Sequence, residues 1–228
     1  MFDGSVYRCR MTLKELKKQL DEGFMEVKRG CMIAVSAISD IGDKILLSNG
    51  EEICYTKRKK KALREELQKK QELMIAKISK KKLPLTPEEY GKYYKICDSL
   101  PFAFTDIEMV FNEEKKAVDW IFRYGNEALA ALEKLPLDKM IGNSFSSLFS
   151  NMDAKWLHVY ERATLYGETL EIMDYSPEID TNLKIICFPT FPGHCGCILF
   201  NADQMKSISE KNHLVRLAAV AMKSNTTI

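Results

Sequence analysis

Polar and apolar positions change rhythm several times along the chain, and each change marks an element. Leu13, Leu16 and Leu20 recur at helical spacing behind Thr12-Leu-Lys-Glu15, where the Thr oxygen can accept from the amide three residues on and Glu15 can reach back. This predicts a short helix stopped at Gly23. Runs at 24–28 and 31–38 read as strands. Gly42-Asp43 supplies a turn, and 44–47 and 52–56 read as a hairpin around Ser48-Asn49-Gly50, where Asn-Gly favours a primed turn. From 57 to 82 the pattern becomes that of a polar helix with scattered leucines, marginal in water by itself and read as an exposed connector. Leu83-Pro84 breaks it, because a proline disfavours the helical conformation in the residue before it.

Thr86-Pro87-Glu88-Glu89 opens another helix with a hydroxyl cap, proline at the first position and acids in the first turn, ending near Leu100-Pro101. Strands follow at 102–111 and 117–124, then short helices at 126–133 and 144–150. Asn126 is placed to cap the first of these. A longer helix at 153–166 sets Trp156, Tyr160 and Ala163 on one face, and strands at 168–175, 181–189 and 195–200 complete the series. The fold class expected is α+β: a mostly-β N-terminal domain, a helical linker, and a five-stranded antiparallel sheet with helices on one face.

Composition, at 46% hydrophobic and 29% charged, is ordinary for a globular protein, and the net charge of +2 looks uninformative until it is divided. Residues 1–82 carry 20 Lys and Arg against 12 Asp and Glu, a net of +8, whereas 83–228 carry 14 against 20. A basic half joined to an acidic half points to a polyanion as partner of the former. Seven cysteines, an odd number lying mostly in apolar runs, fit a reducing compartment, so a cytoplasmic protein is expected. No apolar run approaches the roughly 18–20 residues of a membrane span, so no membrane partner is expected.

Two family likenesses emerge from these residues. Thr12-Leu-Lys-Glu-Leu16, Gly23-Phe24, Val27-Lys-Arg29, Ile33-Ala-Val35, Leu47-Ser-Asn-Gly-Glu51 and Thr56-Lys-Arg-Lys-Lys-Lys-Ala-Leu63 together resemble the LytTR family of bacterial DNA-binding domains. The resemblance implies an elongated β-fold that sends loop side chains into successive major grooves of bent DNA. It places base contacts at Lys28, Arg29 and Arg58, with Lys57 and Lys59 alongside. Arg can donate two bonds to the guanine edge, and Lys serves phosphate. Lys28 stands where the family usually has His, and Ala34 where it has Asn. The family also begins with one more strand than the residues before Gly4 supply.

The second half resembles a PAS sensor domain over about 100–203. The residues that carry the likeness are Leu100-Pro-Phe102, Phe111-Asn-Glu113, Asp119-Trp-Ile-Phe-Arg-Tyr-Gly-Asn-Glu-Ala128, Ile141-Gly142, Trp156, Tyr160, Tyr175-Ser-Pro177 and Phe188-Pro189. It implies a small pocket between sheet and helices that could take a small-molecule ligand. Phe122, Tyr124, Trp156, Tyr160, Tyr175 and Phe188 are the expected lining residues. The organisation read from the chain is a LytTR-like domain at 1–66, a basic linker at 67–86, a PAS-like domain at 87–205, and a C-terminal helix and tail at 206–228. Ile208, Leu214, Leu217 and Val220 of that helix are candidates for a homodimer contact.

Catalytic chemistry finds no support in the motifs. Glycine-rich phosphate loops, a Gly-x-Ser-x-Gly elbow and a His-Glu-x-x-His helix are all absent from the sequence. His194, Cys195 and Cys197 invite a zinc reading and His158 or His194 a haem reading, but there is no second Cys/His pair at zinc-finger spacing and no Asn-Cys-Arg flavin motif. No enzyme and no metal site are expected. The function expected is a bacterial transcription regulator in which a PAS-like sensor controls a LytTR-like DNA-binding domain. The alternative is a sensing and dimerisation module without sequence-specific DNA binding.

Overall fold

A computed structural model of the chain describes residues 10–81, 85–150 and 154–203. The strand sought before Gly4 and the helix expected over 207–221 lie outside the described residues. The chain divides into two compact units, Met1–Ala76 and Lys77–Ile228.

In the first unit, helix α1 (Leu13–Gln19) begins with the predicted capping box. Thr12 Oγ1 accepts from Glu15 N at 3.3 Å, and the Thr12 amide donates to the Glu15 carboxylate at 2.7 Å. Strands β1 (Phe24–Lys28) and β2 (Cys31–Ala34) form an antiparallel pair, and β3 (Ile38–Ile41), β4 (Ile45–Leu47) and β5 (Glu52–Ile53) form a separate three-stranded sheet. The single strand expected over 31–38 is thus broken, by a 3-10 turn at Val35–Ala37. Burial explains the break: Val35 and Ile38 are both buried, yet three positions apart on one strand they would face opposite ways. The Val35 amide, turned out of the ladder, donates to Gly23 O at 2.7 Å.

Helix α2 (Lys60–Lys81) follows a basic 3-10 turn at Lys57–Lys59. It does not begin as a free connector. Leu63 is 3% exposed, the Arg64 Nε donates to Ile41 O at 2.8 Å, and the Lys70 Nζ donates to Glu22 O at 2.9 Å. A polar helix gains little from its own hydrogen bonds in water, so an apolar anchor with two tethers is what stabilises its first half.

The second unit is built on strands β6 (Ala103–Phe111), β7 (Ala117–Gly125), β8 (Leu170–Ser176), β9 (Thr181–Pro189) and β10 (His194–Asn201), ordered β7-β6-β10-β9-β8 and antiparallel throughout. Between β7 and β8 come α4 (Glu127–Glu133), α5 (Leu137–Met140), α6 (Phe145–Leu148) and α7 (Ala154–Tyr166), of which α5 has no counterpart among the expected helices. Leu129, Met140, Phe145, Trp156, Tyr160 and Ala163 from these helices pack on Ile107, Met109, Trp120, Phe122, Ile185 and Cys197 of the sheet, making the main core. Trp156, Tyr160 and Ala163 realise the apolar face read from the sequence.

The other face of the sheet is covered too. Helix α3 (Pro87–Tyr93), opened by the Thr86 capping box, continues into a 3-10 segment at Lys95–Ser99. Tyr90 and Tyr94 then pack on Phe104 and Tyr124 in a second, separate cluster. Because both faces are covered, β6 is buried over most of its length, polar residues included.

Candidate nucleic-acid interface and candidate ligand cavity

Lys28 and Arg29 stand at the tip of the β1–β2 hairpin, where Gly30 adopts φ +79 and Lys28 pairs with Cys31. A positive φ is easy for glycine, so the chain reverses sharply here and both cationic side chains are pushed into solvent. Lys57, Arg58 and Lys59 occupy the 3-10 turn ahead of α2 and are likewise exposed. The two groups of cations share a neighbourhood. The Glu26 carboxyl in β1 is held below its ordinary value first by its hydrogen bond to Lys17 and further by the charge of Lys59.

Some other cations of this unit are paired: Lys17 with Glu26, Lys44 with Glu52, and Lys60 3.6 Å from Asp43, whereas among the described residues Lys14, Lys18 and Lys69 are as free as the hairpin-tip cations. Among the described residues, Lys28, Arg29, Lys57, Arg58 and Lys59 make no such pair. Exposed cations left unpaired at a hairpin tip and a helix start can release counterions from a phosphate backbone. Ala34, by contrast, is half-buried at the base of the hairpin, opposite Phe24.

Between sheet and helices the second unit has a small, partly open cavity of about 30 Å³. That is room for about two water molecules, far below the several hundred Å³ of a drug-sized pocket. Phe122, Trp156 and Tyr160 are among the residues that line it. Tyr124, Tyr175 and Phe188 do not, and each has a geometric reason.

Tyr124 is carried to the far face by a bulge. Ile107 pairs with Phe122 and Asp106 with Tyr124, so Arg123 is the extra residue and the alternation reverses across it. Arg123 and Tyr124 both end on the far face, Arg123 paired with Glu108 at 2.6 Å and Tyr124 donating to Asp98 at 2.5 Å. Phe188 has the wrong parity: Leu183, Ile185 and Cys187 point into the core, so Phe188 points out. Its ring lies over Gly196, whose missing Cβ would otherwise sit 2.9 Å from it. Tyr175, on the edge strand β8, is 44% exposed and donates to Asp180 at 2.6 Å.

Polar residues that the sequence reading did not single out complete the cavity wall: Glu133, at the end of α4, and Glu178 with Ser176 at the β8–β9 turn. One signal was available in the sequence, since Glu133 closes a helix at the end where the backbone dipole is already negative. Its carboxyl is pushed up to about 7, first by burial and then by the charge of Glu178.

Beneath α3 lies a buried network that joins distant parts of this unit. Asp106 Oδ2 accepts from the Tyr94 hydroxyl at 2.7 Å and the Thr190 hydroxyl at 2.5 Å, leaving Oδ1 for His194 Nδ1 at 2.6 Å. His194 Nε2 in turn lies 3.3 Å from the Tyr90 hydroxyl. Burial next to the Asp106 charge pushes the Tyr94 hydroxyl well above its ordinary value. Two acids at alternate positions of an apolar strand, Asp106 and Glu108, were the legible sign of such a network.

His194 therefore faces away from Cys195 and Cys197, which point into the core with Cys187. The Cys195 and Cys197 sulfurs are 3.8 Å apart, and burial raises both thiols. Among the described residues no group of three His, Cys, Asp or Glu side chains converges in a way that would hold a metal ion. Among those residues no helix is long and apolar enough to cross a membrane.

Residues 1–68 match the family model of the LytTr DNA-binding domain. The first unit thus carries a DNA-binding domain, and the exposed cations at the hairpin tip and before α2 lie within the matched residues. No curated protein is similar to the chain.

Proposed function

We propose that this chain, whose N-terminal residues carry a LytTr DNA-binding domain, is a transcription regulator in which the second unit is a PAS-like sensor. The observation that supports the sensor reading is the sheet order β7-β6-β10-β9-β8, with the helices between β7 and β8 closing over one face upon a small cavity. Ligands bind in such concave, mostly apolar interiors with a few convergent polar groups. Helix α2 begins in the first unit and runs past its boundary at Ala76, so it is the covalent route by which one unit can influence the other.

In this reading Arg29 and Arg58 contact base edges, while Lys28, Lys57 and Lys59 contact phosphates. The test is a titration of the full chain with duplex DNA over a range of salt. Affinity should fall steeply with salt. Arg29→Ala or Arg58→Ala should weaken the preferred sequence most, whereas Lys57→Ala should weaken all sequences alike. Absence of binding at low salt refutes the assignment. A second reading is favoured by Lys28 and Ala34, which replace the residues usual in the family: a sensing and dimerisation module that holds DNA without reading it. Equal affinity for all duplexes, with an unchanged dimer by light scattering, selects that reading.

A further inference from the structure

The cavity of the second unit carries negative charge with nothing to balance it. Glu133 and Glu178 both line it, and among the described residues no Lys, Arg or His does. Glu178 Oε2 accepts from Ser176 at 2.6 Å, whereas Oε1 is sealed from solvent and has no hydrogen-bond partner. Glu133 makes no hydrogen bond or ion pair with any described residue. Of the cations on the surrounding elements, Arg162 pairs with Glu168 at 2.6 Å, Lys184 with Glu171 at 2.8 Å and Lys155 with Asp174 at 3.1 Å, while Lys134 and Lys139 are exposed and do not line the cavity. Buried charge is normally paired, and an acceptor left unpaired in the interior is costly. The orphaned oxygen marks a place where a donor is missing.

The rest of the wall specifies what kind of donor. Trp120 lies 4.3 Å from Phe145 and 5.2 Å from Tyr160, ring centre to ring centre, and Trp156 completes an aromatic lining. Carboxylates attract a cation by charge, and aromatic faces attract it through the ring quadrupole. A hydrophilic metal ion would gain little from the rings, and a neutral ligand little from the carboxylates. We propose that this cavity is a binding site for an ion the size of methylammonium, its charge held between Glu133 and Glu178 and its methyl group against the rings of Trp120, Phe145, Trp156 and Tyr160. The proposal rests on the reading of the second unit as a sensor and names the class of its ligand. A free volume of about 30 Å³, room for about two water-sized groups, limits that ligand to one nitrogen with one methyl group.

A proton is the competitor. Glu133, whose carboxyl sits at about 7, must ionise to hold a cation, so binding strengthens as pH rises through that value. The other titratable groups on the wall are Glu178, Tyr160 and Cys197, and burial raises both Tyr160 and Cys197 above their ordinary values.

The sequence supplies its own reporter, because the only two tryptophans, Trp120 and Trp156, both line the cavity. The full chain is titrated with methylammonium chloride while tryptophan emission and Tm are followed. Sodium chloride at equal ionic strength and neutral methanol serve as controls. The expected result is a saturable change in emission with a rise in Tm, absent with both controls and stronger above pH 7. It should weaken at least about tenfold in both Glu178→Gln and Glu133→Gln. No saturable change, an equal response to methanol, or affinity unchanged in both variants overturns the proposal. Glu133→Gln removes a charge that burial opposes, so its fold should hold and lost binding cannot be blamed on unfolding. A DNA titration at saturating methylammonium separates the two readings. A shift in DNA affinity supports sensor control, whereas cation binding that leaves DNA affinity unchanged refutes sensor control and leaves the cation site standing.

Discussion

The two units treat charge in opposite ways. In the first, Lys28, Arg29, Lys57, Arg58 and Lys59 stand in solvent without an ionic partner among the described residues, and the core beneath them is purely apolar, made by Met25, Val27, Ile33, Val35 and Ile45. In the second, Asp106, Glu108, Asn126 and His194 are buried, and partners from distant strands and helices satisfy them. Solvated cations cost little to hold and keep their attraction for a phosphate backbone. Buried polar groups are expensive to break but specify one arrangement, and in the cavity on the opposite face of the sheet Glu178 Oε1 is left without a partner. The first unit thus leaves its charges to the solvent, whereas the second pairs most of its buried polar groups internally.

The largest effect expected from breaking this contrast is at Asp106. Asp106→Ala strands three donors in a dry interior and should cost about 3–5 kcal/mol, seen as a lowered midpoint in denaturant, while DNA binding at low temperature survives. A loss under about 1 kcal/mol would show that the network is solvated after all. Next is Asn126→Ala. The side-chain oxygen caps α4 at Leu129 N and accepts from Phe104 N, both at 3.0 Å, while its amide donates to Cys97 O and Phe102 O. Loss of the cap together with these ties should cost roughly 2–3 kcal/mol, again read by denaturant.

Arg29→Ala acts on the other side of the comparison. It should leave stability within about 0.5 kcal/mol and weaken DNA binding by about 1–3 kcal/mol, measured by fluorescence anisotropy. The reverse pattern, a lowered Tm with DNA affinity intact, would mean that the hairpin tip is structural.

The smallest effect concerns Glu133. Its folded-state value of about 7 lies above the ordinary 4.5, so the folded protein favours the neutral carboxyl. Below pH 4.5 both states are protonated and nothing is lost. Between 4.5 and 7 the unfolded state releases its proton first, so stability falls, and above 7 the deficit is constant. Glu133→Gln should therefore stabilise by about 1–2 kcal/mol at pH 8 and by nothing at pH 4. A gain independent of pH would assign the effect to packing.

How much of this was legible follows the range of the interactions. Thr12 with Glu15, Thr86 with Glu89 and the Asn126 cap are settled within three residues, and each appears where the sequence places it. The apolar face of α7 follows from a period of the helix itself, and it turns Trp156 and Tyr160 toward the core. Phe188 could have been assigned by parity from its own strand. Tyr124 could not, because the bulge at Arg123 that turns it outward is a matter of register with β6.

By itself, then, the sequence determined the order and kind of most elements and the separation of a basic from an acidic half, since caps, periodicity and charge are local properties. Tertiary structure alone decided which face of the sheet each aromatic takes, and that α3 covers the outer face. It also brought Asp106 to His194, 88 positions away, and Glu133 to the same cavity as Glu178. Those outcomes depend on strand register and on packing between elements far apart in the chain, and neither is written in any short stretch of residues.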